Sequence, residues 1–239
     1  DFADGTVSRP FKSFEQVLPY IQENRFVKIR LNGEMVMPEK SVTLTSNLEI
    51  EGLKDARIKF PRGTSLSVRN SSFVMSNCLV SQDGQKKDEI ERFPGFSGNS
   101  EYLFQVEHGV LDFANVEVTA VFGKNGSVIE SDNSVVSIKN SGITSSANSY
   151  TSCITSVDSK IYIKKSRIAT VSGTSVNFSC QGGIFELRTS NCKTVGVMGR
   201  IAELFDTHSS VTNNEFFGDL KKVQGNNNPI YEDSSNFSV

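Results

Sequence analysis

A repeat of 24 to 25 residues constrains the fold of this chain more than any other feature of its sequence. Five apolar residues mark the copies, 25, 25, 24 and 24 positions apart: Phe113, Ile138, Ile163, Leu187 and Val211. Around the markers, apolar and polar residues alternate, as in the segment VVSIK. This alternation is typical of short β-strands, and a fixed period of this length is typical of solenoids. The sequence therefore predicts stacked coils of short strands rather than helix pairs.

The residue two places after each marker indicates a tight turn at the same point of every coil. These residues are Asn115, Asn140, Lys165, Thr189 and Asn213. Tight turns need the left-handed backbone conformation, which Asn adopts more readily than any residue except Gly. We expect the turn residues of stacked coils to form a row along the axis, in which Asn side chains bond to one another.

These features together resemble the right-handed parallel β-helix of the pectate-lyase-like superfamily. The resemblance implies an all-β fold, a right-handed parallel β-helix solenoid of about seven to eight coils. It extends to the start of the chain, where the pattern G-T-x-S-x-P-F-K-S, an apolar helix and the segment VKIRLNG are similar to the opening of many extracellular β-helix proteins. The resemblance therefore implies an exported protein, located in the periplasm, at the outer surface or secreted.

The sequence divides into a cap, a solenoid and a tail. Phe14, Val17, Leu18 and Ile21 have helical spacing and predict a short amphipathic helix within an N-terminal cap of residues 1–25. Such a helix would cover the first coil, whose bare strand edge would otherwise favour aggregation. The solenoid is predicted over residues 26–218, and residues 219–239 are predicted to form a C-terminal cap or tail.

The step between markers is irregular in the first half of the chain. Leu44 and Val68 fit the marker pattern and are 24 residues apart, but the next step, to Phe113, is 45 residues. The excess lies in residues 81–101, a charged segment with Pro94 and three Gly and without strand alternation. We interpret it as a long loop inserted after the third strand of its coil. The alternative is two irregular coils of about 22 residues.

Composition excludes several classes of protein. The chain has 25 Lys and Arg against 27 Asp and Glu, which argues against a nucleic-acid binder driven by counterion release. No apolar run approaches 18 residues, so no transmembrane segment is predicted. The four Cys form no C-x-x-C pair and indicate no disulfide framework. Cys192 falls at an inward position and is expected to be buried, whereas a bridge between Cys153 and Cys180 is left open.

Catalytic and metal-binding groups are not assembled by the repeat. In enzymes of the superfamily, the resemblance implies a site on the first sheet, with acids that hold calcium or act as a pair. The outward positions of that sheet are predicted to be Gln105, Glu130, Thr155 and Ser179, which include one carboxylate. The two His are about four coils, or roughly 20 Å, apart and cannot share a metal. We therefore predict no catalytic residues, no metal and no cofactor.

Charged residues provide the candidate ligand-binding sites. Four cations are predicted to point outward from the first coils: Lys28, Arg30, Arg57 and Lys59. A second outward row is predicted beside the turn: Arg69, Lys139, Lys164 and Arg188. The inserted loop contributes a third set: Asp83, Lys86, Lys87, Asp88, Glu89 and Arg92. A row of cations at coil spacing suits an anionic polymer, although a solvated face that prevents edge pairing would also carry charges.

These observations favour a non-catalytic extracellular or surface domain for binding or adhesion, with a glycan or protein ligand. The expected partners are an acidic polysaccharide or a host or cell-surface protein. The first alternative is a polysaccharide lyase or glycoside hydrolase of the pectate-lyase-like class, because one fold supports many activities. The second is a structural segment of a larger surface protein. The sequence leaves the oligomeric state open.

Overall fold

The computed structural model describes residues 5–8, 10–23, 25–82, 101–218, 230–233 and 236–238. Over these residues the chain forms the predicted parallel β-helix, with three parallel sheets and one helix, α1 (Phe14–Glu23), near the N-terminus. Each coil contributes one strand to each sheet, so strands that are neighbours in a sheet are three apart in sequence. The buried face of α1 consists of Phe14, Val17 and Ile21, which join the core as predicted.

The first sheet has eight strands, which carry the first strand of successive coils. In chain order they are β3 (Val42–Leu44), β6 (Leu66–Arg69), β9 (Glu101–Glu107), β12 (Asn125–Asp132), β15 (Tyr150–Val157), β18 (Thr174–Gln181), β21 (Met198–Phe205) and β24 (Ile230–Asp233).

The second sheet has nine strands and contains the markers of the repeat. In chain order they are β1 (Phe26–Leu31), β4 (Asn47–Gly52), β7 (Ser72–Ser76), β10 (Val110–Ala114), β13 (Val135–Lys139), β16 (Lys160–Lys164), β19 (Ile184–Arg188), β22 (His208–Thr212) and β25 (Asn236–Ser238).

The third sheet has eight strands. In chain order they are β2 (Glu34–Val36), β5 (Arg57–Phe60), β8 (Leu79–Gln82), β11 (Glu117–Val121), β14 (Gly142–Ser146), β17 (Arg167–Val171), β20 (Asn191–Val195) and β23 (Glu215–Gly218).

The five markers of the second half lie in register on the second sheet, as the period predicts. The predicted phase of the first coils is wrong. Val68 pairs with Val106 on the first sheet, and the residue that pairs with Phe113 is Met75. The error has a physical reason, because the two turns that flank β7 both place an Asn two residues after an apolar residue: Asn70 follows Val68, and Asn77 follows Met75. Val68 and Asn70 therefore have the same pattern as Phe113 and Asn115, although they lie at different corners of the coil.

Two rows of left-handed residues make these two corners. The row between the second and third sheets includes every predicted turn residue, with φ values of 50° to 56°: Asn115, Asn140, Lys165, Thr189 and Asn213. Asn77 continues this row, and its Oδ1 accepts a hydrogen bond of 3.1 Å from Nδ2 of Asn115. The row between the first and second sheets escaped the sequence reasoning: Asn70, His108, Asn133, Asp158 and Asp206, at φ 47° to 51°, and Gly182 at φ 68°.

The step between the first and second halves contains an insertion and no additional coil. Strands β6, β7 and β8 pair directly with β9, β10 and β11. The connection from Gln82 to Phe104 spans 22 positions, whereas the equivalent connection from Ala120 to Ile129 spans 9, so the insertion adds 13 residues. Strand β8 ends at Gln82 and β9 begins at Glu101, and the rest of the predicted loop 81–101 lies outside the described residues.

The interior is a continuous apolar core that contains a cluster of aromatic rings in edge-to-face and tilted contact. Phe104 is fully buried, and its ring centroid lies 5.2 Å from that of Phe113, 5.6 Å from that of Phe60 and 6.1 Å from that of Phe73. The four rings come from four strands and from all three sheets. The cluster therefore joins coils on both sides of the insertion.

The thiols of the chain are buried and unbridged. Cys78, Cys153, Cys180 and Cys192 are all free, so the bridge between Cys153 and Cys180 that the sequence left open is not formed. Cys192 is fully buried, as predicted. Burial raises the pKa of Cys180 and of Cys192 to about 12, so both side chains are neutral thiols near neutral pH.

Buried serine hydroxyls connect successive coils at the corner between the second and third sheets. Ser141 Oγ accepts a hydrogen bond of 3.1 Å from the backbone N–H of Val116 and donates one of 2.7 Å to the carbonyl of Lys139. Ser166 Oγ accepts in the same way from the N–H of Ser141. Each hydroxyl therefore satisfies a backbone group of the preceding coil that no strand ladder reaches.

Replacing Ser141 by alanine is expected to destabilise the solenoid by about 1–3 kcal/mol, because the N–H of Val116 would stay buried without an acceptor. Chemical unfolding followed by circular dichroism measures this loss. The matched control is Ser210→Ala on the outward face of β22, for which we expect a change within about 0.5 kcal/mol. Equal stability of the two variants would contradict a structural role for the buried serines at this corner.

Candidate ligand-binding surfaces

The cations of the first coil are bound to carboxylates of the next coil. Lys28 Nζ lies 2.7 Å from Glu49 Oε1 and 3.0 Å from Glu51 Oε2, and Arg30 Nε lies 3.6 Å from Glu51 Oε2. Hydrogen bonds to Glu49 and Glu51 raise the pKa of Lys28, and the bond to Lys28 lowers the pKa of Glu51. These two predicted ligand-binding residues therefore have intramolecular partners on the second sheet.

The other two cations of this predicted group lie on a different face. Arg57 and Lys59 belong to β5 of the third sheet. Lys59 Nζ lies 2.9 Å from Glu34 Oε2 on the neighbouring strand. The four cations of the first coils are thus divided between two sheets and do not form one row.

The second predicted row is also divided. Arg69 lies on the first sheet, where its Nε is 2.9 Å from Glu107 Oε2, so its place in the row was wrong. The other three residues do align: Lys139 pairs with Lys164, and Lys164 pairs with Arg188, on the second sheet. The displacement of Arg69 has the same cause as the shifted phase of the first coils, since the same turn pattern occurs at two corners.

A basic patch results on the outer face of the second sheet, and we define it as Ser137, Lys139, Tyr162, Lys164, Glu186 and Arg188. These residues line a shallow groove of about 290 Å³. Arg188 Nη2 lies 3.0 Å from Glu186 Oε2. Within the described residues, no carboxylate lies within ion-pair distance of Lys139 or Lys164. The patch therefore has two cations without a charge partner in this part of the chain, beside the half-buried Tyr162.

Adjacent cations in register are an unusual arrangement for this surface. Like charges directly opposite each other on neighbouring strands destabilise a sheet. At several other places on the solenoid a cation contacts a carboxylate of another strand, as Arg167 Nη2 does with Glu117 Oε1 at 2.6 Å. At the basic patch, Lys139, Lys164 and Arg188 instead follow one another at the strand spacing of about 4.8 Å. The patch is thus a local concentration of positive charge on a chain that is nearly neutral.

The predicted row of the first sheet is confirmed, because Gln105, Glu130, Thr155 and Ser179 pair in register. Burial, and then the nearby Glu107, raise the pKa of Glu130. Ser179 pairs in turn with Glu203, whose Oε1 lies 2.6 Å from Arg200 Nη1. Glu130 and Glu203 are three strand spacings, or about 14 Å, apart. This exceeds the 5–10 Å that a two-carboxylate glycosidase needs, so Glu130 and Glu203 do not form such a pair.

A second groove, of about 490 Å³, runs along the corner between the first and second sheets. We call it the edge groove and define it by its lining residues: Asn47, Asn70, Ser71, Ser72, His108, Gly109, Val110, Asn133, Ser134, Val135, Asp158 and Lys160. Its polar wall consists of four members of the left-handed row between the first and second sheets: Asn70, His108, Asn133 and Asp158. The sequence does contain a pattern that could have identified this turn row, since polar residues recur at Asn133 and Asp158, 25 positions apart.

Over the described ranges, no group of three or more His, Cys, Asp or Glu is placed to hold a metal ion. Within the same part of the chain, no helix has the length and apolar character needed to cross a membrane. The six loop residues predicted to bind a ligand lie outside the described residues: Asp83, Lys86, Lys87, Asp88, Glu89 and Arg92.

A comparison of the chain with models of known protein families and with curated proteins found no match. The fold is therefore established by the three parallel sheets and their register. Membership of the pectate-lyase-like superfamily stays a prediction from the sequence.

Proposed function

We propose that this protein is an exported, non-catalytic β-helix domain of the pectate-lyase-like type that binds an acidic polysaccharide through the basic patch. The observation that carries the proposal is the run of Lys139, Lys164 and Arg188 on three adjacent strands. A cluster of like charges raises the local concentration of an oppositely charged polymer and speeds its association. In the absence of a ligand, repulsion between these cations lowers the stability of the sheet. A ligand that neutralises them would offset this cost.

The spacing of the patch suits a linear ligand that lies along the solenoid axis. Successive cations are separated by one strand spacing, about 4.8 Å, which is close to the length of one sugar unit. Tyr162 lies between Ser137 and Glu186 in the neighbouring outward row, where its ring offers an apolar face to a sugar. Carboxylates or sulfates of the polymer would accept hydrogen bonds from the lysine ammonium groups.

Replacing Lys139 and Lys164 together by glutamine is expected to weaken binding to an acidic polysaccharide by about 100-fold or more. Each charge-assisted hydrogen bond contributes about 1.5–3 kcal/mol, and the two losses add to at least about 3 kcal/mol. Isothermal titration calorimetry with polygalacturonate, alginate and heparin at fixed salt measures the effect. Raising the salt concentration should weaken the wild-type complex and have little effect on the variant.

The matched control is Lys28→Gln with Lys59→Gln, which removes the same charge from cations that face carboxylates. We expect this control to bind within about twofold of the wild type. An equal loss in the two double variants would show that net charge alone attracts the polymer. Full binding by the Lys139→Gln/Lys164→Gln variant would place the ligand elsewhere, and either result would contradict the proposal.

A second candidate function is cleavage of a polysaccharide on the first sheet. The observation that favours it is the place of the half-buried Glu130 in the outward row of the first sheet, where burial raises its pKa in the direction that a general acid needs. Release of reducing ends, or of unsaturated sugars absorbing near 235 nm, would detect the activity. Loss of that release in a Glu130→Gln variant would assign the proton donor. Binding without turnover is the result that the non-catalytic proposal predicts.

A further inference from the structure

The edge groove is a separate surface from the basic patch, and its length follows from the fold. Its lining residues come from strands β4, β7, β10, β13 and β16 and from the turns that precede four of them. Five adjacent strands span four spacings, or about 19 Å along the solenoid axis. A groove of about 490 Å³ with this length accommodates a short linear molecule.

The polar wall of the groove places one side chain on each coil. Asn70, His108, Asn133 and Asp158 all have positive φ at the same corner, so their side chains recur at the coil spacing. The side chains of Asn70, His108 and Asp158 make no hydrogen bond or ion pair with another described residue. The wall therefore offers amide, imidazole and carboxylate groups that are available to a ligand.

The floor and the charge of the groove restrict the class of ligand. Val110 and Val135 occupy adjacent positions on the floor, and Val110 is 38% exposed. Asp158 and Lys160 contribute one negative and one positive charge. An apolar floor beside polar groups whose two opposite charges balance suits the alternating C–H faces and hydroxyls of a neutral sugar. A polyanion would gain nothing from this balance of charges.

The backbone of the groove argues against a peptide that adds as a β-strand. The N–H of His108 donates to the carbonyl of Asp132, that of Asn133 to Val157, and that of Val110 to Ser71. Strand addition needs unpaired backbone groups at a sheet edge. In this corner the backbone groups named above already form hydrogen bonds between neighbouring coils. A ligand therefore has to be recognised by side chains, as saccharides are.

From these observations we propose that the edge groove binds a neutral oligosaccharide of about four units, lying parallel to the solenoid axis across strands β7 to β16. The side chains of Asn133 and Asp158 hydrogen-bond its hydroxyl groups, and Val110 and Val135 pack against its C–H faces. The site is independent of the basic patch and does not rest on the function proposed for it.

The test uses variants that keep the backbone of the corner. Asn133→Gly combined with Asp158→Gly removes both side chains, and glycine accepts the positive φ at no steric cost. The matched control is Asn140→Gly with Asn213→Gly, at equivalent positions of the other corner. Cellotetraose, maltotetraose and chitotetraose are titrated into the wild type and both variants, and binding is followed by calorimetry.

We expect at least one tetrasaccharide to bind the wild type, and the Asn133→Gly/Asp158→Gly variant to lose at least about tenfold in affinity. The Asn140→Gly/Asn213→Gly control should stay within about twofold, and binding of acidic polymers should be unchanged in both. Absence of binding by all three tetrasaccharides would overturn the proposal. So would an equal affinity of the two variants for the tetrasaccharide that binds.

Discussion

Replacing Phe104 by alanine is expected to lower the free energy of unfolding by about 3–5 kcal/mol, the range measured for buried aromatic residues. The ring is fully buried and packs against Phe60, Phe73 and Phe113 at centroid distances of 5.6, 6.1 and 5.2 Å. Its removal leaves a cavity at the point where three sheets and two halves of the solenoid meet. Because coils are stabilised mainly by their neighbours, the loss should spread to both sides of the cavity.

Denaturant unfolding followed by circular dichroism measures this effect through the midpoint of the transition. The matched control is Phe217→Ala on β23, where the side chain is 51% exposed and the expected change is within about 0.5 kcal/mol. Hydrogen exchange should show the largest loss of protection in β6, β9 and β10. If Phe104→Ala unfolds at the same midpoint as Phe217→Ala, the packing of the central coils is not as described.

Replacing Gly183 by alanine is expected to lower the free energy of unfolding by about 3 kcal/mol. Gly183 has φ +75°, and a Cβ atom there would lie 2.1 Å from the backbone carbonyl oxygen of Ser159 on the preceding coil. The left-handed conformation adds about 1–2 kcal/mol for a residue with a side chain, and overpacking adds about 1–3 kcal/mol. The clashing atom belongs to the backbone, so the coils themselves would have to separate.

The control for this change is Gly63→Ala, at φ +68° with open space around the site. This variant also places a side chain on a left-handed residue, but its Cβ atom meets no neighbouring atom. The expected destabilisation is therefore about 1–2 kcal/mol. The difference between the two variants in thermal unfolding isolates the close approach of neighbouring coils. If the two variants melt together, the spacing of the coils at this corner is larger than described.

The repeat and one turn row were predictable from the sequence because they depend on local rules. An alternating strand buries every second residue, so Phe113 and Ile138 were identifiable as inward positions. The requirement for positive φ favours Asn, so the turn at Asn115 and Asn140 was identifiable as well. Both features repeat at a fixed step, and the register of the second half follows from that step alone.

The phase of the first coils could not be predicted in the same way. Both corners that flank the second sheet use a left-handed residue, and in one early coil both carry an Asn two residues after an apolar residue, at Asn70 and Asn77. A sequence pattern that occurs twice within this coil does not say which corner Asn70 occupies. Pairing across the insertion decides it, and the length of an insertion is not encoded by the strands around it.

The site residues required knowledge of pairing between coils. Lys28 and Lys164 look alike in the sequence, since both are outward cations on alternating strands. They differ because Lys28 faces Glu49 on the next strand, whereas Lys164 lies between Lys139 and Arg188. The edge groove was missed for a related reason, because its wall consists of residues 25 positions or more apart that only the stacking of coils brings together.

Binding of an acidic polysaccharide by the basic patch is tested most directly by mapping the lysines that the polysaccharide covers. The intact chain is acetylated with an amine-reactive reagent, with and without saturating polygalacturonate, alginate or heparin, and each lysine is read by mass spectrometry. The proposal predicts that Lys139 and Lys164 lose most of their reactivity in the complex while Lys28 and Lys59 keep theirs. Protection of Lys28 and Lys59, with Lys139 and Lys164 still reactive, would contradict it.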